Sequence, residues 1–188
     1  VHLSLADFYR SAGDKENSFR ELKLAFRQLQ LEIDTKIQIL GSYYNLVEAF
    51  PELQPQADEL CQLLIQTHPS DPRVYAVQGD FLALQKKWEE ARASYRRARD
   101  LGSREYSVHS QILLLDSQLR DWASMLSESE ESMSLFPDQP FVYYFNGLAK
   151  QQVKRCSDAV SVLKTGVKLV VDNTPLESSF YSALGECY

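Results

Sequence analysis

The sequence predicts an all-α fold, a solenoid of antiparallel helix pairs stacked one on the next. Three slots and a closing proline, all on one period, predict it. With "YAVQGDFLALQKKWEEARASYRRA", residues 75–98, as template, a first-aromatic slot is filled by Tyr75, His109, Tyr143 and Tyr181. A glycine slot holds Gly79, Gly147 and Gly185. A small-residue slot one helix later holds Ser18, Ala57, Ala91, Met125 and Ala159, at spacings of 39, 34, 34 and 34. The prolines Pro69 and Pro137 lie 68 residues apart, two periods. Helices of about 14 residues are marginal alone in water, so each pair must bury a face on its neighbour. A large aromatic on one helix needs a small residue opposite, and a proline after the second helix forces the turn into the next pair.

The elements follow in order. Residues 1–37 form a first pair, "HLSLADFYRSAG" then "ENSFRELKLAFRQLQ", joined through Gly13 and Asp14. Residues 38–71 form a second, with a looser turn at "FPELQP", where Pro55 suits the first turn of a helix. Residues 72–105, 106–139 and 140–177 are the third, fourth and fifth. The fourth diverges most, with His109, Leu113 and Met125 where an aromatic, a glycine and an alanine are usual. The fifth is expected to run 38 residues to the next start, its extra length in "VVDNTPLE". Residues 178–188 begin a sixth.

The template resembles the tetratricopeptide (TPR) repeat, W-x-x-L-G-x-x-Y…A-x-x-x-F…P with a period of about 34 residues. Gln78 stands in the leucine slot, a departure that weakens one packing contact. The resemblance implies a right-handed superhelix whose concave groove is lined by the first helix of each pair. It also implies a non-catalytic scaffold or adaptor that binds a peptide or helix of a partner protein in that groove. On this frame the groove candidates are Arg10, Leu46, Phe50, Arg73, Asp80, Ser110, Leu114, Phe141, Tyr144, Leu148 and Gln151, with Asp7, Ile39, Ser42, Leu84 and Gln118 beside them. For Phe141 and Tyr144 two readings stand open: a partner contact, or padding for the next pair. TPR domains that grip acidic C-termini carry a clamp lysine, and here Ser42, Ala76, Ser110 and Tyr144 occupy its slot. An apolar or aromatic segment therefore suits the groove better. "LADFYRSAGDKENSFRELKLAF" and "GVKLVVDNTPL" are also similar to TPR arrays of Bacteroidetes cell-envelope proteins. That second resemblance implies an envelope-assembly role and a periplasmic site, with the cytoplasm as the alternative.

Composition narrows the function classes. Apolar residues make up 44% and charged residues 24% of 188, as in ordinary globular chains. The net charge of −6 speaks against nucleic acid, which needs a basic footprint. It also speaks against an RNA-binding helical repeat. The run at residues 86–104 carries seven basic and three acidic side chains, and reads as the solvated face of a second helix. "SESEES", residues 127–132, gives the following pair the opposite charge. No stretch approaches the roughly 18 apolar residues of a membrane span.

No catalytic, metal or cofactor site is expected. His2, His68 and His109 lie on distant repeats with no nucleophile or acid at a fixed helical offset. Cys61, Cys156 and Cys187 show no C-x-x-C spacing, and Cys61 reads as a small core residue. Gly-rich phosphate loops are absent from the sequence, and "GSYYN" and "GVKLV" do not qualify. The last residues, "FYSALGECY", read as a repeat cut short, a piece of a longer array. Phe180, Tyr181 and Leu184 are then expected to form an open apolar edge through which copies could self-associate.

Overall fold

The computed structural model describes residues 1–187 and divides into two compact units, Val1–Gly102 and the residues from Ser103 on. The first unit holds six helices: α1 (His2–Ser11), α2 (Lys15–Arg27), α3 (Ile33–Ala49), α4 (Gln54–Thr67), α5 (Pro72–Leu84) and α6 (Trp88–Asp100). The second holds α7 (Tyr106–Gln118), α8 (Trp122–Leu135), α9 (Pro140–Gln152), α10 (Cys156–Gly166) and α11 (Thr174–Gly185). The described residues contain no strand. Consecutive helices pack as antiparallel pairs, and the first helix of one pair also packs on that of the next: α3 on α5, α7 on α9, and α9 on α11.

Local chemistry sets these boundaries. Asp14, Asp71, Asp121 and Asn173 cap α2, α5, α8 and α11, their side chains accepting from the backbone N–H of Asn17, Arg73, Ser124 and Leu176. Within three of the pairs the chain reverses through a left-handed residue, Lys86, Arg120 and Lys154, with φ of 59°, 55° and 62°. Those positions are 34 residues apart. Between pairs, Tyr75 and Tyr143 donate their hydroxyls to the carbonyls of Pro69 and Pro137, at 3.0 and 2.9 Å. The aromatic slot and the closing proline are thus one tie, which fastens a first helix to the turn before it.

The glycine slots work by close approach. A Cβ on Gly79 would stand 2.8 Å from Tyr95 Cζ, and one on Gly147 would overlap the Leu163 side chain. Polar residues in the leucine slot are answered across the pair. Ser94 Oγ donates to Gln78 Oε1 at 3.0 Å, and Asn146 Nδ2 donates to Ser129 Oγ at 2.9 Å. The divergent fourth pair fills its slots with bulk, since Leu113 and Met125 are fully buried and His109 nearly so.

Three expectations are corrected. Helix α3 begins at Ile33, so the boundary at 37/38 cuts through it. At 17 residues α3 is a turn longer than the 13-residue α5, α7 and α9, and a 3₁₀ turn at Pro51–Leu53 follows it. That length accounts for four of the five extra residues in the spacing of 39, the connections for the other, and it moves every first-helix slot of α3 by about one turn. Second, the fifth pair is not extended: first helices start at Pro72, Tyr106, Pro140 and Thr174, each 34 apart. Helix α10 gives way early to a 3₁₀ turn at Val167–Leu169, and Asn173 caps α11 at once. Third, Phe180 and Leu184 do not form an open edge. Phe180 is fully buried, Leu184 is 8% exposed, and both pack in a cluster with Leu163 and Leu176. Of the three residues only Tyr181 is exposed, at 58%.

Candidate functional site

In the first unit, α3 and α5 lie side by side and leave a cleft of about 410 Å³ between them. It is lined by Ile37, Leu40, Gly41 and Tyr44 from α3, and by Val77, Asp80 and Phe81 from α5. The spacings i, i+3, i+4, i+7 and i, i+3, i+4 place each set on one helix face. Gly41 opens the floor, because a Cβ there would meet nothing within 4 Å. Tyr44 stands edge-on to Phe81, ring centres 5.7 Å apart at 68°, and forms one wall.

The polar group of the cleft is Asp80, half-buried, whose Oδ1 accepts the Tyr95 hydroxyl at 2.5 Å. Gly79 makes this possible: without a side chain, it lets the Tyr95 ring lie against α5 and aim its hydroxyl at the next residue. Burial raises the Asp80 pKa, and the Tyr95 hydrogen bond opposes that. Burial also raises the Tyr44 hydroxyl, helped by the charges of Asp80 and Glu48. The cleft is thus an apolar trough with one carboxylate in its wall.

The groove candidates differ in what they touch. Asp80 lines the cleft, while Leu46 and Phe50, 43% and 51% exposed, lie at the C-terminal end of α3. Arg10 is taken by Asp7 at 2.7 Å. Arg73 bridges Asp71 at 2.8 Å and Asp34 at 2.5 Å, so it clasps α5 to α3. In the second unit Ser110 bonds the Ser107 carbonyl, and Leu114 is 41% exposed. Phe141, Tyr144 and Leu148 pack against the α11 cluster, Tyr144 meeting Phe180 at 5.3 Å between ring centres. Gln151 donates to the Ala183 carbonyl and, at 3.2 Å, to Cys187 Sγ. All four therefore touch residues of α11 or its cluster.

The sequence reading missed the apolar lining that α3 contributes, Ile37, Leu40 and Tyr44, because a fixed period put the α3 slots one turn late. The spacing of 39 between Ser18 and Ala57 is the signal that could have found it. The histidines all have structural partners: His2 with Glu21, His68 with Lys36, and His109 with Ser132 and the Phe136 ring. Cys61 is buried, and burial pushes its thiol pKa up. Cys156 is an exposed free thiol, and half-buried Cys187 accepts from Gln151. Among the described residues no group of three or more His, Cys, Asp or Glu side chains could hold a metal ion. No described helix is long and apolar enough to cross a membrane.

Comparison with solved structures bears on the fold. The structure is similar to that of MamA, with a TM-score of 0.65 and 17% identity, over 88% of this chain and 94% of that one. It is similar to YrrB, described as a TPR protein with an unusual peptide-binding site, with a TM-score of 0.65, 14% identity, and 78% and 73% covered. TTC0263, a thermophilic TPR protein of Thermus thermophilus, aligns over 97% of both chains, with a TM-score of 0.58 and 16% identity. The chain has the all-α helical-repeat fold of TPR proteins. No family model and no curated protein matches it. Nothing in these comparisons supports the resemblance to Bacteroidetes envelope arrays.

Proposed function

We propose that this protein is a non-catalytic interaction module that takes a peptide or helix of a partner protein against its first helices. The contact in the first unit is the cleft between α3 and α5. One observation carries this reading: two adjacent helices present apolar side chains at helical spacing around an open trough, with one carboxylate to orient what enters. Ligand sites commonly combine apolar walls with a few placed polar groups. YrrB, a protein of similar fold, is described as having a peptide-binding site, which favours the same use of this fold here.

Gly41→Trp tests the reading, because it fills the trough from a position where an added Cβ meets nothing within 4 Å. Partner proteins retained from native extract by the unaltered chain should be lost with Gly41→Trp, while far-UV circular dichroism is unchanged. Equal retention by both forms would place the contact elsewhere.

A further inference from the structure

Charge on the first helices of this unit is unevenly spent. Arg10 is held by Asp7, and Arg73 by Asp71 and Asp34. The only lysine of α3, Lys36, is fully buried and turned to Thr67 and His68. Asp80, in the cleft wall, has the Tyr95 hydroxyl as partner and no basic one among the described residues. Glu48, exposed one turn beyond Tyr44 on α3, pairs with no cation among the described residues. The charges of both carboxylates reach the Tyr44 hydroxyl. A half-buried carboxylate facing an apolar trough without a counter-ion bears a desolvation cost that an incoming cation would relieve. The Tyr44 ring beside it offers a π face to the same cation.

We infer that the α3–α5 cleft selects a partner segment presenting an arginine or lysine next to an apolar residue, the cation meeting Asp80 and Tyr44 and the apolar side chain filling the trough over Leu40, Gly41 and Phe81. The inference rests on the reading of the cleft as a peptide site. An acidic or all-apolar segment would leave Asp80 buried deeper and unanswered. The chain's net charge of −6 adds a long-range pull on basic segments that salt screens.

The test uses an array of end-blocked twelve-residue peptides in which one position is Arg, Lys, norleucine or Glu and its neighbours are Leu, Phe, Ala or Ser. It is probed with the unaltered chain, Asp80→Asn and Gly41→Trp, and the best binders are titrated by fluorescence polarisation. The unaltered chain should prefer Arg or Lys beside Leu or Phe by at least tenfold over the norleucine and Glu counterparts. Asp80→Asn, which keeps an acceptor for Tyr95, should lose that preference while still discriminating Leu from Ser. Gly41→Trp should lose both. Trough-dependent binding with no preference for a basic residue, or a preference that survives Asp80→Asn, would overturn the charge assignment and leave the peptide site standing. No binding sensitive to Gly41→Trp would overturn the peptide site, and the inference with it.

Discussion

Lys36 Nζ lies 3.0 Å from His68 Nε2 and 3.2 Å from Thr67 Oγ1, fully buried, and no carboxylate pairs with it among the described residues. It is the first buried residue of α3, where α5, α7, α9 and α11 begin their cores with Val74, Val108, Val142 and Leu176. Burial lowers its pKa, the mark of a cation out of water. We therefore expect Lys36→Met to stabilise the protein by about 1–2 kcal/mol, as replacing buried charges by apolar groups of similar volume often does. Thr67 keeps its bonds to the Leu63 and Leu64 carbonyls, and half-buried His68 can turn to water. Urea unfolding should show a higher midpoint at unchanged slope; a lower midpoint would mean that the Lys36 hydrogen bonds outweigh its desolvation.

The same pair sets a pH dependence. Burial first, then the Lys36 charge and more weakly Arg73, hold the His68 pKa below its ordinary 6.5, against the pull of Asp71. A base whose folded pKa is depressed is protonated first in the unfolded chain, so stability is lost as pH falls through about 6.5 towards the folded value. Lys36 acts in the same sense at high pH, and its cost is relieved as pH rises towards the ordinary lysine value of 10.5. Thermal unfolding between pH 5 and 8 should show the acid-side loss, and His68→Gln should flatten it. An unchanged slope in His68→Gln would assign the effect to other groups.

Two glycines at mid-helix should answer alanine in opposite directions. Gly79→Ala drives a methyl into the Tyr95 ring, 2.8 Å from Cζ, and should cost about 1–3 kcal/mol as overpacking does. It should also loosen the Tyr95–Asp80 hydrogen bond, which tyrosine absorbance titration would register as an earlier-ionising hydroxyl. Gly41→Ala meets no neighbour and should stabilise by up to about 1 kcal/mol through helix propensity alone. Equal effects at both sites would contradict the packing described here.

The left-handed turn residues invite the reverse substitution. At φ of 62°, Lys154 bears a steric cost that glycine lacks. Lys154→Gly should raise stability by about 0.5–1 kcal/mol in denaturant unfolding, net of glycine's larger unfolded-state entropy. Loss of stability would show that its side-chain contacts outweigh the backbone term.

How much was legible varies from residue to residue. Tyr75, Gly79, Ala91, Tyr95 and Pro69 each sit in a slot with a steric or hydrogen-bonding task, so the period could be read directly. The register of α3 could not be read from a fixed period, because one additional helical turn keeps the apolar face while sliding every slot. At α11, Tyr181 and Gly185 imitate the aromatic and glycine slots, yet Asn173 caps the helix one turn earlier and so buries Phe180 in place of Tyr181. Asp80 was legible as a first-helix residue off the packing slots. Its partnership with Tyr95 depends on how two helices face each other across Gly79, which no single-helix pattern encodes. The burial of Lys36 is of the same kind.

The most direct test of the cleft as a partner site is photo-crosslinking in native cells from a benzophenone amino acid at Asn45, exposed on α3 next to Tyr44. A discrete adduct with a partner protein should form with the unaltered cleft and disappear when Gly41→Trp is added, at equal expression. An adduct equally abundant with the trough filled would contradict the account.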